Sequence, residues 1–267
     1  PLPAISPDGT RMVYGAKLKN GPTQLWFRRL DSTTAQPLPG TDSAATPFWS
    51  ADSRWVAFGQ DKKLKKIDTQ GGPPVAITDM NATLRGGSWN SDGVILFSTN
   101  SPDSGIQRVS AAGGVAQPFT TPVKAELRTS NGERDRAPQF LPDGRHFLYL
   151  GVKAGDEPVY VGSLDEPGKP GKVVAQTGSP AVYSQGHLLY LRESTLMAQP
   201  FDTTRLVTAG EPMPIAENVP TYTTPSRFGG FAVSTSGMLA YQSDLSGDQT
   251  RLVWKDRQGK ELGTLGT

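Results

Sequence analysis

The feature that most constrains this chain is a short motif that returns six times. An apolar strand runs into a tight polar turn, and a second strand leaves the turn and ends on an aromatic residue. The six turns are Ser6-Pro7-Asp8-Gly9, Ser50-Ala51-Asp52-Ser53, Asn90-Ser91-Asp92-Gly93, Leu141-Pro142-Asp143-Gly144, Ser184-Gln185-Gly186 and Ser234-Thr235-Ser236-Gly237. The aromatics that follow are Tyr14, Phe58, Phe97, Tyr149, Tyr190 and Tyr241. Asp and Gly belong in such turns for physical reasons. The carboxylate accepts from the backbone N–H two residues on, and glycine adopts the positive φ of a tight hairpin at no steric cost.

Successive turn marks, from Gly9 through Ser53, Gly93, Gly144 and Gly186 to Gly237, are 44, 40, 51, 42 and 51 residues apart. Each interval holds two further strand-like runs. The third strands are expected at Gln24–Asp31, Leu64–Asp68, Ile106–Ser110, Val159–Asp165, Leu196–Asp202 and Leu252–Asp256. The fourth are short and flanked by proline, which an outer edge tolerates because it needs no N–H there. No stretch sustains a 3.6-residue apolar period. Four strands per repeat of about 40–45 residues predict a β-propeller rather than a helical solenoid. The sequence therefore predicts an all-β, six-bladed propeller of four-stranded antiparallel blades filling residues 1–267 as one domain. The blades are expected near 3–39, 46–79, 86–120, 137–176, 180–217 and 229–267, each running from its innermost to its outermost strand. No strand at either end is left over for a shared blade, so closure is expected to rest on packing between the first and last repeats. The repeated aromatic is expected to fill the interface between neighbouring blades.

The motif Ser-Pro-Asp-Gly followed by a hydrophobic strand ending on Tyr or Phe resembles the PD-repeat blades of TolB-type propellers. Three longer runs, Phe140–Tyr149, Tyr160–Asp165 and Leu196–Asp202, resemble the propellers found C-terminal to bacterial Ser/Thr protein kinase domains. That resemblance implies a sensor or scaffold role outside a catalytic domain, an extracytoplasmic setting, and a link to a kinase domain in a longer protein. The sequence itself carries no Gly-rich phosphate loop, His-Arg-Asp or Asp-Phe-Gly motif. Starting at Pro1 rather than Met, the chain reads as a fragment or a processed form.

Composition removes several functions. Cysteine is absent, which excludes disulfides and thiolate metal sites. A net charge of +2 with mixed signs offers no concentrated basic face for nucleic acid, so no nucleic-acid partner is expected. The densest run, Asp61 to Asp68 with four lysines, sends its lysines to both faces of a strand. No apolar run is long enough to insert into a membrane. No Gly-x-Ser-x-Gly nucleophile elbow occurs. His146 and His187 hold matching places after the turns of blades 4 and 5, as repeat residues would. No catalytic residue, metal or cofactor is expected.

One asymmetry is left. Eight residues before the turn mark lies the entrance to each innermost strand, at one mouth of the axial channel. Arg85 and Arg136 hold it in blades 3 and 4, whereas Pro1, Ala45, Gly178 and Gly229 hold it elsewhere. Arg227 lies two residues upstream in blade 6, and the connection into blade 4 carries Glu126 and Arg134. Guanidinium forks suit carboxylate or phosphate. A ligand-binding mouth of Arg85, Arg136, Arg227, Arg134 and Glu126 is therefore expected to take a protein, a peptide or a small anion. In the competing reading each arginine pairs with a nearby acid such as Glu133 or Asp135. A second function class is a metal-dependent lactonase or esterase, its hard cation held at the axis by oxygens from Glu126, Asn131, Glu133, Asp135 or Asn218.

Overall fold

The computed structural model describes residues 3–17, 21–101, 104–121, 134–152, 157–222, 228–242, 252–255 and 261–265. Five antiparallel sheets follow one another along the chain, four of them four-stranded and the fifth four-stranded with a small extra strand, Val207–Thr208. In each, chain order equals spatial order. Blade 1 runs Ala4–Ile5, Arg11–Lys17, Thr23–Arg29 and Ala35–Pro37. Blade 4 runs Arg134–Phe140, His146–Val152, Pro158–Ser163 and Lys172–Gln176. The first strands of blades 1 to 4 touch in succession, and that of blade 1 touches the last repeat, which places them at the centre and the short fourth strands at the rim.

The turns are built as their residue types demand. In blade 1, Asp8 Oδ1 accepts from Thr10 N at 2.9 Å, while Arg11 N donates to Ser6 Oγ at 3.0 Å. Blade 2 repeats this with Asp52 and Ser50, and Trp55 N donates to Ser50 Oγ at 2.9 Å. In blade 3, Asn90 Oδ1 takes over the serine's place and accepts from Val94 N at 2.8 Å. Neighbouring turns are also tied together. Asp8 N donates to Ser53 Oγ at 3.1 Å, Asn90 Nδ2 to Gly144 O at 2.7 Å, Ser184 Oγ to Ser234 O at 2.7 Å, and Thr235 Oγ1 to Pro7 O at 2.8 Å.

The turn carboxylates set an acid limit on stability. Burial pushes Asp8 upward, but hydrogen bonds from Ser6 and Thr10 and the Arg11 charge outweigh it and hold the group below its ordinary value. Asp143 behaves alike: burial raises it, and the His146 ring with the Arg145 and His146 backbone N–H groups lowers it further. A carboxylate depressed in the folded state stabilises the fold above its unfolded pKa, and that stabilisation fades as pH falls through the folded value. Melting temperature is therefore expected to hold level above about pH 5 and to fall progressively below about pH 4. Scanning calorimetry in buffers spanning that range checks it, and Asp8→Asn should flatten part of the fall.

Five apolar clusters sit between adjacent blades, and the repeated aromatic joins the one shared with the preceding blade. Phe58 packs with Val13 and Leu25, Phe97 with Leu64 and Ile77, Tyr149 with Leu96 and Ile106, Tyr190 with Leu148 and Val159. Tyr241 packs partly buried against Leu191 and Leu196. Tyr14 is half-buried and belongs to no such cluster among the described residues.

The sixth repeat corrects the expectation of six four-stranded blades: among the described residues the structure has five. The last repeat forms two separate two-stranded ladders, Phe231–Val233 with Leu239–Tyr241 and Leu252–Lys255 with Glu261–Leu265. Its second strand has 3 residues, against 6 or 7 in the other repeats, so it offers few rungs to a third strand. Among the described residues neither end exchanges a strand: Ala4–Ile5 pairs within blade 1, and Glu261–Leu265 pairs with the strand before it. Ser236 N and Thr235 Oγ1 both reach Pro7 O, which joins the last repeat to the first.

Candidate functional site

The innermost strands of blades 2, 3 and 4 share an irregularity that the sequence reading did not anticipate. Their ladders to the second strand slip between Ala45 and Phe48, between Leu84 and Gly87, and between Arg136 and Gln139. The residue inside each slip has positive φ: 55° at Thr46, 116° at Gly86 and 50° at Ala137. All three lie seven residues before their turn mark, so one bulge is repeated in three adjacent blades at the axial mouth. Bulges of this kind bend a strand and re-aim its side chains. Two carry a signal legible afterwards. Pro47 and Pro138 follow the bulge residue, and a proline inside a central strand has no N–H for the ladder.

Arg85 and Arg136 each stand immediately before a bulge residue, on adjacent strands. Ser98 ties the two strands together, its hydroxyl donating to Arg85 O at 3.1 Å and accepting from Ala137 N at 3.3 Å. The backbones approach closely here, since a methyl placed on Gly86 would lie 2.9 Å from Ala137 Cα. It would also lie 3.3 Å from the ring of Phe228, which reaches this side of the mouth from the far end of the chain. Arg136 is buried, with 8% of its surface exposed, and Arg85 is half-buried.

Asp135 is 7% exposed, and its Oδ2 accepts from the Thr120 hydroxyl at 2.5 Å, which in turn accepts from Ile106 N at 2.8 Å. Burial pushes the nearby Tyr149 phenol upward, and the Asp135 charge adds to this. Arg134 begins the innermost strand of blade 4, but its side chain is outside the described residues, as are Glu126, Arg227, Asn131 and Glu133 in full. The structure thus sets Arg85 and Arg136 on neighbouring strands joined through Ser98, with Asp135 next to Arg136 in the chain. Among the described residues no three of His, Asp and Glu gather where one cation could bind.

The remaining candidates resolve into scaffold contacts. His146 Nδ1 lies 2.5 Å from Asp143 Oδ2 within its own turn, and His187 Nδ1 lies 2.9 Å from Gln185 O. The lysine run forms strand Lys63–Asp68, where Lys63 pairs with Asp79. Lys66 donates to Ala111 O and sits 5.0 Å over the Trp55 ring. A rim groove of about 540 Å³ runs between blades 3 and 4, lined by Asp92, Arg108, Val115, Gln117 and Pro167. No helix among the described residues is long and apolar enough to cross a membrane.

Four-stranded antiparallel blades whose first strands meet around an axis define a β-propeller. Among solved structures, the chain has a TolB-like form of that fold. It matches TolB from Acinetobacter baumannii with a TM-score of 0.59 and 14% identity, over 81% of this chain and 54% of that one. A putative TolB from Agrobacterium tumefaciens is matched at 0.58 and 15%, over 88% and 84%. A structure of the nidogen/laminin complex is matched at 0.65 and 13%, over 97% and 94%. The chain spans only about half the length of the Acinetobacter protein. No protein-family model and no curated protein matches the sequence, and identities this low speak for the fold alone.

Proposed function

We propose that the chain is a non-catalytic interaction propeller, a sensor or scaffold module that receives an acidic group of a protein, peptide or small molecule at its axial mouth. In this reading the last repeat completes the ring as a sixth blade. Propeller mouths suit binding because loops converge there on a rigid frame. The observation that carries the reading is the paired placement of Arg85 and Arg136, which share one register position on strands locked together through Ser98. Two guanidinium groups at one end of the axis present planar donor forks to a carboxylate. The likeness to TolB structures and to a structure of the nidogen/laminin complex agrees with an interaction module.

Calorimetric titration with succinate, citrate and tricarballylate tests the site. Saturable heat is expected at millimolar concentration, and the double variant Arg85→Ala, Arg136→Ala should lose at least about tenfold in affinity, some 1.4 kcal/mol. No heat from any of the three, or an unchanged affinity in the double variant, would remove the site.

A further inference from the structure

The seam between blade 1 and the last repeat carries two buried N–H donors on its blade 1 side. Side chains alternate across a strand, and Val13, Leu25 and Phe27 face blade 2 in the cluster that includes Trp49 and Phe58. Tyr14, Trp26 and Arg28 must then share the opposite face. Tyr14 pairs with Trp26 and Met12 with Arg28 in the ladder, so the three form one patch. That face looks toward the last repeat, since Ala4–Ile5 touches Phe231–Val233, and a methyl on Gly9 would lie 3.3 Å from Met238 Cβ.

At the matching ladder position other blades also carry polar groups, Lys65 beside Phe58 and Gln107 beside Phe97, but Lys65 Nζ donates to Gln60 Oε1 at 2.7 Å, whereas two donors on this face find no acceptor among the described residues. Arg28 is 5% exposed. Its Nε donates to Ser32 O at 2.7 Å, yet its Nη2 is buried with no hydrogen-bond partner among the described residues. Trp26 Nε1, two residues along the same face, is likewise buried and unpartnered. Burial pushes the Tyr14 phenol upward against the opposing Arg28 charge, which places the guanidinium within electrostatic reach of it. A buried cationic N–H without an acceptor carries a desolvation cost that no bond repays. Two such donors on one face, one of them charged, constitute a position built for an acceptor oxygen that bears negative charge.

We propose that the seam between blade 1 and the last repeat is a second binding site, separate from the axial mouth, which takes a carboxylate attached to an apolar or aromatic body. The carboxylate accepts from Arg28 Nη2 and Trp26 Nε1, and the body packs on Tyr14 and Trp26. Entry needs only a local parting of the seam, which the Thr235 and Ser236 hydrogen bonds to Pro7 O hold on its turn side.

Benzoate is the probe, with benzamide as its uncharged counterpart, on the Arg85→Ala, Arg136→Ala background so that the mouth does not contribute. The readout is the indole N–H resonance of Trp26, assigned by its loss in Trp26→Phe. Benzoate is expected to displace that resonance saturably, with a dissociation constant on the order of 1 mM, and benzamide at least about tenfold more weakly. Arg28→Lys, which keeps the charge but loses the fork, should weaken benzoate to a similar extent. Trp26→Phe, followed by calorimetry, covers the case in which the Arg28 variant does not fold. No displacement up to about 50 mM, equal response to benzamide, or unchanged affinity in whichever variants fold would overturn the proposal.

Discussion

Truncating Tyr149 to alanine is expected to cost about 3–5 kcal/mol of unfolding free energy, the range for emptying a large aromatic site in a packed interior. Tyr149 is 4% exposed and lies in the cluster between blades 3 and 4. Its ring stacks on Tyr160 with centroids 5.2 Å apart and planes 14° from parallel, and it meets Phe147 at 5.7 Å. The hydroxyl accepts from Gly171 N at 2.9 Å, close to the chain on the rim. Tyr149→Phe keeps the packing and loses only that acceptor, so it should cost about 1 kcal/mol. Urea melts of both variants measure the two parts. A loss below about 1 kcal/mol for alanine would mean that the ring does not fill the seam.

Gly86→Ala is expected to be comparably damaging, at about 2–6 kcal/mol, from two separable causes. An alanine at φ 116° is strained by about 1–3 kcal/mol. Its methyl would also meet Ala137 Cα at 2.9 Å, backbone that cannot swing aside, which adds about 1–3 kcal/mol of overpacking. Gly71→Ala separates the two, because Gly71 has φ 126° with nothing within 4 Å of the methyl. The difference between the two variants in denaturant melts measures the clash alone. If the variants lose equally, blades 3 and 4 do not touch at this point.

Much of this architecture was legible because its chemistry is local. A serine, an aspartate and a glycine within four positions specify a turn without help from the rest of the chain, and Asp8, Asp52 and Asp143 make the bonds their types imply. The aromatic at a fixed distance beyond each turn was legible for the same reason, and Phe58, Phe97, Tyr149 and Tyr190 are buried between blades as expected. The last repeat shows where this reasoning stops. Its turn is as well formed as the others, with Met238 N donating to Ser234 Oγ at 2.9 Å, yet a good turn does not dictate how far its strands run. The bulges at Thr46 and Ala137 leave a trace in Pro47 and Pro138 that was not read as such, and the one at Gly86 leaves only a glycine inside a strand. Register arithmetic gives Arg85 and Arg136 matching positions, but does not foresee Ser98, which joins their strands from a second strand.

The turn-to-turn hydrogen bonds have a mechanical meaning. Asp8 reaches Ser53, Asn90 reaches Gly144, Ser184 reaches Ser234, and Thr235 reaches back to Pro7. A blade tied in this way cannot tilt without dragging the next. A load on one blade is therefore passed to its tied neighbours: blade 5, the last repeat, blade 1 and blade 2 respond as one stiff arc, and blades 3 and 4 as another.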